Sequence, residues 1–273
     1  MPRIQERNGL RIARLFRQAR GLTEDQRTCD LALLRAEDSI DLVVSDLANP
    51  GYTACLVRPG PDLPCGIILA QGQSRGRERF SIAHELGHFY MPTHKDKPMG
   101  WCGEEDMTAR AGSGKQYEWE ANDFAAELLM PRRPFQSDAQ GRDPIFRDLV
   151  ELADPGMYDV SVTAAALRYV EVTSEACALV CSRAGAIEWV AKSDAFRYRV
   201  PWRGDALPGA SVARAVCNGA EPNDGAETLD PYVWLEVEHG DSLEVFESTL
   251  SIPSQGQVLS LVWVVAEDSG HDD

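Results

Sequence analysis

Of the five histidines in this 273-residue chain, two stand four apart in the stretch Ser81-Ile82-Ala83-His84-Glu85-Leu86-Gly87-His88-Phe89-Tyr90. The stretch reads as a helix. Ile82, Leu86 and Phe89 recur at helical spacing on one face, and His84 and His88 share another. Four residues is about one helical turn, so both imidazoles can reach a single ion, at about 2.0–2.1 Å each if it is Zn²⁺. Glu85, one step round from His84, faces the open side of such an ion, where a carboxylate takes a proton from water rather than ligating. The pattern H-E-x-x-H therefore points to metal-assisted hydrolysis with one Zn²⁺ per chain. The plainer reading is a solvated helix that happens to carry two histidines.

A hydrolytic zinc site has three protein ligands and keeps a fourth position for water. The next apolar helix, at residues 117–130, offers three acidic residues on one side, Glu120, Asp123 and Glu127, which is the face expected in solvent. Glu118 instead lies over Asn122, Ala125 and Leu129, on the packing side. A carboxylate among apolar neighbours is costly unless it is paired or bound to a metal. Glu118 is thus the expected third ligand in preference to Glu120. Asn122, one turn on, is a candidate to hold a ligand in place, or is an ordinary polar residue of a packed helix.

The elements that must position these groups are short. Residues 10–20 and 24–36 read as helices, the first interrupted before it begins by Asn8-Gly9 and the second capped by Thr23. Residues 40–44, 53–57 and 65–70 are β-branched, bounded by Pro/Gly turns, and read as strands leading to the metal helix. In that layout a sheet edge lies above the site, where an extended peptide can pair with it. Two further helices are expected at 145–153 and 161–170. They also admit a helix-turn-helix reading, weakened because the second offers only Arg168 to phosphates.

From about residue 173 the pattern turns to strands, at 176–181, 186–191, 232–238, 242–251 and 257–265, with residues 201–230 mostly loop. Trp189, Trp202, Trp234 and Trp263 read as core and rim aromatics. The fold class is α+β: a zincin-like metallopeptidase domain at 1–172, with a small sheet and the H-E-x-x-H helix, followed by a β-rich, sensory or regulatory domain at 173–273.

Composition narrows the setting. The formal net charge is −16, which argues against a protein that coats duplex DNA. No apolar run approaches about 18 residues, so no membrane segment is expected and the expected compartment is the cytoplasm. The seven cysteines, at positions 29, 55, 65, 102, 177, 181 and 217, have neither disulfide-framework nor zinc-knuckle spacing. Against the acidic whole, Arg7, Arg11 and Arg14 recur on one side of the N-terminal helix. They are candidate anion-binding residues, for single-stranded DNA as an activator, or simply a solvated face.

His84-Glu85-Leu86-Gly87-His88, followed by Glu118-x-x-Ala121-Asn122-x-Phe124-Ala125-Ala126-Glu127-Leu128-Leu129-Met130-Pro131, resembles the ImmA/IrrE metallopeptidases over roughly residues 30–175. The resemblance implies His84, His88 and Glu118 as zinc ligands and Glu85 as general base. It also implies the substrate, a helix-turn-helix repressor whose cleavage derepresses stress, phage-related or defence genes. Tyr90 and His94 are candidates to steady an oxyanion or a ligand, and Cys102, between the two ligand helices, is a candidate inhibitory fourth ligand. A non-catalytic regulator with a structural zinc is the alternative function; the intact Glu85 separates the two, since a structural site needs no free carboxylate beside the ion.

Overall fold

The structure is a computed structural model that describes residues 7–31, 40–44, 52–59, 64–95, 101–103, 106, 116–222, 224–236 and 243–266. Among these lie seven helices and nine strands, in two sheets. Their contacts fall into two compact units, Met1–Phe135 with Ala153–Ser161, and Gln136–Leu152 with Val162–Asp273.

In the first unit, helix α1 (Asn8–Ala19) precedes strands β1 (Asp41–Val44), β2 (Ala54–Val57) and β3 (Gly66–Leu69). Helix α2 (Arg75–Tyr90), strand β4 (Trp101–Cys102) and helix α3 (Gln116–Leu129) follow. The sheet runs β1-β3-β2-β4, with β1 parallel to β3 and the other pairs antiparallel. Helix α2 packs on β2 and β3, burying Ile82, Ala83 and Leu86 beside a sheet core that includes Leu56, Ile67 and Leu69. Each fully buried aliphatic side chain of this kind contributes about 1.5–3 kcal/mol, so the helix bearing the histidines is held by its apolar face.

Helices α2 and α3 come unusually close at one point. A Cβ on Gly87 would sit 3.1 Å from the Ala121 Cα and 3.2 Å from its carbonyl oxygen. The missing side chain at Gly87 and the small one at Ala121 are what let the two helices approach, and that approach brings their polar faces together. A second close contact corrects the N-terminal expectation. Asn8-Gly9 does not interrupt a helix; α1 begins at Asn8, and a Cβ on Gly9 would lie 2.2 Å from the Glu120 carbonyl oxygen. Gly9 is the point where α1 lies down on α3, and Phe16 completes the seam with its ring 4.6 Å from that of Tyr90 and 5.9 Å from that of Phe124.

That seam overturns the expected solvent face of α3. Glu120 and Glu127 are only 2% and 3% exposed, because α1 packs over them. Arg14 Nε donates to Glu127 Oε1 at 2.9 Å, and Arg7 Nε lies 3.2 Å from Asp123 Oδ2. The buried Arg17 donates to the carbonyls of Leu128, Thr23 and Gln26. The last two carbonyls would serve a helix starting after Thr23. Residues 24–30 are turn and coil rather than helix, and residues 32–36 of that expected helix lie outside the described residues.

In the second unit, α4 (Arg132–Ala139) ends after starting in the first; it was not expected, yet Pro134 sits in its opening turn, where a missing N–H costs nothing. Helices α5 (Phe146–Ala153) and α6 (Val162–Val172) follow the expected spacing. They do not form a reader of phosphates, because Arg168 is buried and donates to Glu171 Oε2 at 2.9 Å. An antiparallel sheet β6-β5-β9-β8-β7 is built from β5 (Cys177–Arg183), β6 (Ala186–Lys192), β7 (Glu227–Leu229), β8 (Leu243–Ile252) and β9 (Gln257–Ala266).

Two details differ from expectation here. The stretch read as loop contains a short helix, α7 (Val212–Cys217), whose Ser211 hydroxyl accepts from Arg214 N. Of the strand expected at 232–238, residues 232 and 233 belong instead to a 3₁₀ turn, Pro231–Val233, where Pro231 has no N–H for a ladder and the Asp230 carboxylate caps the Tyr232 N–H; Glu236 forms an isolated bridge with Arg199, and residues 237–238 lie outside the described residues. Trp234 follows the turn into the core, where its indole N–H donates to the buried Glu247 at 2.8 Å. Trp263 is buried as well, whereas Trp202 is exposed.

Candidate metal centre

Helix α2 presents His84 and His88 one turn apart, and α3 presents Glu118 across the Gly87–Ala121 contact. Glu118 Oε2 lies 3.2 Å from His84 Nε2 and 3.3 Å from His88 Nε2, and the two Nε2 atoms are 3.1 Å apart. Two nitrogens and one carboxylate oxygen thus converge on a point, the donor set of a three-ligand zinc site. These three residues form a group that can hold a metal ion.

The electrostatics suit a cation. Burial pushes the His88 imidazole down to about 4, despite its hydrogen bond with Glu118, so its ring is neutral and keeps a lone pair for an ion at neutral pH. At His84 burial acts in the same direction, but the Glu118 hydrogen bond and the Glu85 and Glu118 charges outweigh it and raise its pKa. Burial opposes ionisation of Glu118, yet hydrogen bonds from both histidines hold its carboxyl well below the usual range. Glu85 is 1% exposed, and its charge acts on His84 and on the Cys55 thiol of β2.

Around the three donors, each histidine is held at its far nitrogen. His84 Nδ1 is 2.8 Å from Asn122 Oδ1, and the Asn122 amide donates to the Asp106 carbonyl at 2.7 Å. His88 Nδ1 is 2.9 Å from His94 Nδ1, and His94 Nε2 is 3.1 Å from Glu120 Oε2. From the end of β2, Arg58 donates to the His88 carbonyl at 2.6 Å. Asn122 and His94 were therefore legible as candidates. Glu120 was not, because its burial depends on α1, more than a hundred residues earlier.

Tyr90 and the arginines have other surroundings. Tyr90 is two residues beyond His88, about 200° round the helix, and its ring packs with Phe16, Phe89 and Phe124 rather than over the donors. Arg7 and Arg14 are engaged with Asp123 and Glu127, leaving Arg11 exposed beside them. Cys102 pairs through its backbone with Ala54 at the edge of the sheet; its side chain lies outside the described residues.

A mixed four-stranded sheet over an H-E-x-x-H helix, with the third donor, a carboxylate, from α3, defines a zincin-like domain. Residues 52–170 match the model of the Peptidase_M78 family, described as the IrrE N-terminal-like domain. The matched segment includes α2, α3 and all three donor residues. Among solved structures, the fold is similar to that of a Mycobacterium tuberculosis transcriptional regulator, at 16% identity and a TM-score of 0.57, over 98% of this chain and 90% of that one. No curated protein matches the chain in sequence. Among the described residues no helix is long and apolar enough to cross a membrane.

Proposed function

We propose that the chain is a zinc-dependent endopeptidase of the cytoplasm that cleaves a helix-turn-helix transcriptional repressor in response to a signal. One observation carries the reading: the convergence of His84 Nε2, His88 Nε2 and Glu118 Oε2 within 3.3 Å of one another, with the buried Glu85 on the same helix. His84, His88 and Glu118 would hold the ion. When bound, zinc supplies Lewis acidity toward the scissile carbonyl and lowers the pKa of attacking water. Glu85 takes the proton of that water and passes it to the nitrogen of the leaving amine. Asn122 and the His94–Glu120 pair keep the two imidazoles aimed. The edge strand β4 offers backbone groups with which an extended substrate segment pairs. The substrate class rests on the family resemblance.

The test is to incubate the protein with the helix-turn-helix protein encoded beside it, with and without chelator. Two fragments appear with zinc and none with chelator. Absence of cleavage under every condition, with single-stranded DNA also added, favours a non-catalytic regulator. The gating signal does not rest on the arginine stripe as a whole, since Arg7 and Arg14 already hold acidic partners. In the same proposal the Cys102 sulfur fills the fourth position of the latent enzyme. Cys102→Ala then raises unstimulated cleavage; a rate equal to the parent's removes that element.

A further inference from the structure

We infer that His94 and Glu120 are positioning residues for the metal centre, fixing the tautomer and aim of His88 and tying the centre to the N-terminal helix. The inference rests on the proposed His84–His88–Glu118 zinc site and concerns what holds one of its ligands. It follows from proton bookkeeping along one line of contacts.

His88 Nδ1 and His94 Nδ1 are 2.9 Å apart, so one proton lies between them. If the lone pair of His88 Nε2 points at the ion, a neutral His88 must carry its proton on Nδ1 and donate it to His94. A neutral His94 that accepts at Nδ1 must carry its own proton on Nε2. That nitrogen is 3.1 Å from Glu120 Oε2, a carboxylate oxygen able only to accept. No other arrangement of two neutral imidazoles satisfies both contacts while leaving His88 Nε2 free to ligate. The anion at the end of the line also raises the basicity of the ligating nitrogen, as a carboxylate behind a histidine does at zinc sites.

The far end of the line is anchored. Glu120 Oε1 accepts from Gln116 Nε2 at 3.1 Å and from Asn8 Nδ2 at 3.5 Å, the latter at the first residue of α1. Glu120 is buried, as is His94, so neither is placed to serve solvent. The same contacts separate two glutamates only two residues apart: Glu118 faces the histidine Nε2 atoms, whereas both oxygens of Glu120 are committed behind His88. Helix α1 is thereby part of the support of the metal centre.

The test measures zinc affinity by chelator competition for the parent, His94→Phe and His94→Asn. It is paired with ¹⁵N NMR of the histidine rings in the zinc-loaded parent. Loss of an outer partner typically costs about 10–100-fold in metal affinity, and His94→Phe should fall in that range. His94→Asn, whose amide oxygen can accept in place of Nδ1, should recover most of it. Equal affinity in parent and His94→Phe overturns the inference, even if the variant melts earlier; so does an equal loss in both variants. The NMR needs no variant to fold: His88 should be protonated at Nδ1 and metal-bound at Nε2, and the reverse tautomer overturns the inference. A parent that binds no stoichiometric zinc brings down the proposed site itself, an outcome separate from a tight-binding parent with indifferent variants.

Discussion

At the level of single residues, Glu118 and Glu120 are the informative pair. They are two apart on one helix, about 200° round from each other, and the fold gives them opposite tasks. Glu118→Gln removes the charge among the three donors and should lose zinc on dialysis, as elemental analysis would read. Glu120→Gln keeps an oxygen that accepts from His94 but loses the anion, so it should bind zinc more weakly than the parent while still retaining it on dialysis. Equal retention in the two variants would deprive Glu118 of its role. The choice of Glu118 agrees with the donor cluster, but not for the reason the apolar stripe offers, because the Glu118 side chain is 22% exposed and that of Glu120 only 3%. The task of Glu120 was not legible in the sequence. It lies at the border of that stripe, and only the arrival of α1 decides whether the border faces water or a neighbouring helix.

At the level of elements, the convergence depends on how near α2 and α3 can come. Gly87→Val places a branched side chain where even a Cβ would meet the Ala121 backbone at 3.1–3.2 Å. Backbone cannot step aside as a flexible side chain does, so the helices must part. Overpacking of this kind costs about 1–3 kcal/mol, to be read as a fall in the urea midpoint, and zinc affinity should fall with it. Unchanged values for both would mean that the close approach does not set the site. Helices α2 and α3 and strands β1, β2 and β3 were legible because each carries its own periodicity; β4, two residues long, carries none. The pairing of α1 with α3 was hidden, since Gly9 reads locally as a breaker and acts as a contact point only once α3 is in place. The 3₁₀ turn at Pro231–Val233 is hidden for the opposite reason: Pro231 carries a local turn signal, but the apolar pattern after it reads as a strand.

At the level of the whole chain, the long-range ion pairs set how stability responds to pH. In the first unit, Arg75 donates to both oxygens of Asp159 at 2.7–3.0 Å, and Arg79 lies 3.3 Å away. The Arg75 hydrogen bonds, with the charges of both arginines, hold the Asp159 carboxyl below its usual value against the opposing effect of burial. A depressed folded-state pKa stabilises above the unfolded value, about 3.9 for Asp, and that stabilisation is lost as pH falls through the folded value. Asp159→Asn suits the positive φ of 52° at this position, which Asn tolerates. It should therefore lower the urea midpoint at neutral pH, and the gap to the parent should close as pH drops below the ordinary Asp range. A gap that widened in acid would contradict the ion-pair account.

The central claim is that Glu85 moves the proton at a metal site built by His84, His88 and Glu118. The most direct measurement compares zinc content and single-turnover cleavage of the proposed helix-turn-helix substrate for the parent and Glu85→Gln. Loss of a general base costs about 10²–10⁴-fold in rate. The account predicts one zinc per chain in both proteins and a loss of that size in Glu85→Gln, whereas comparable cleavage by two equally zinc-loaded proteins would contradict it.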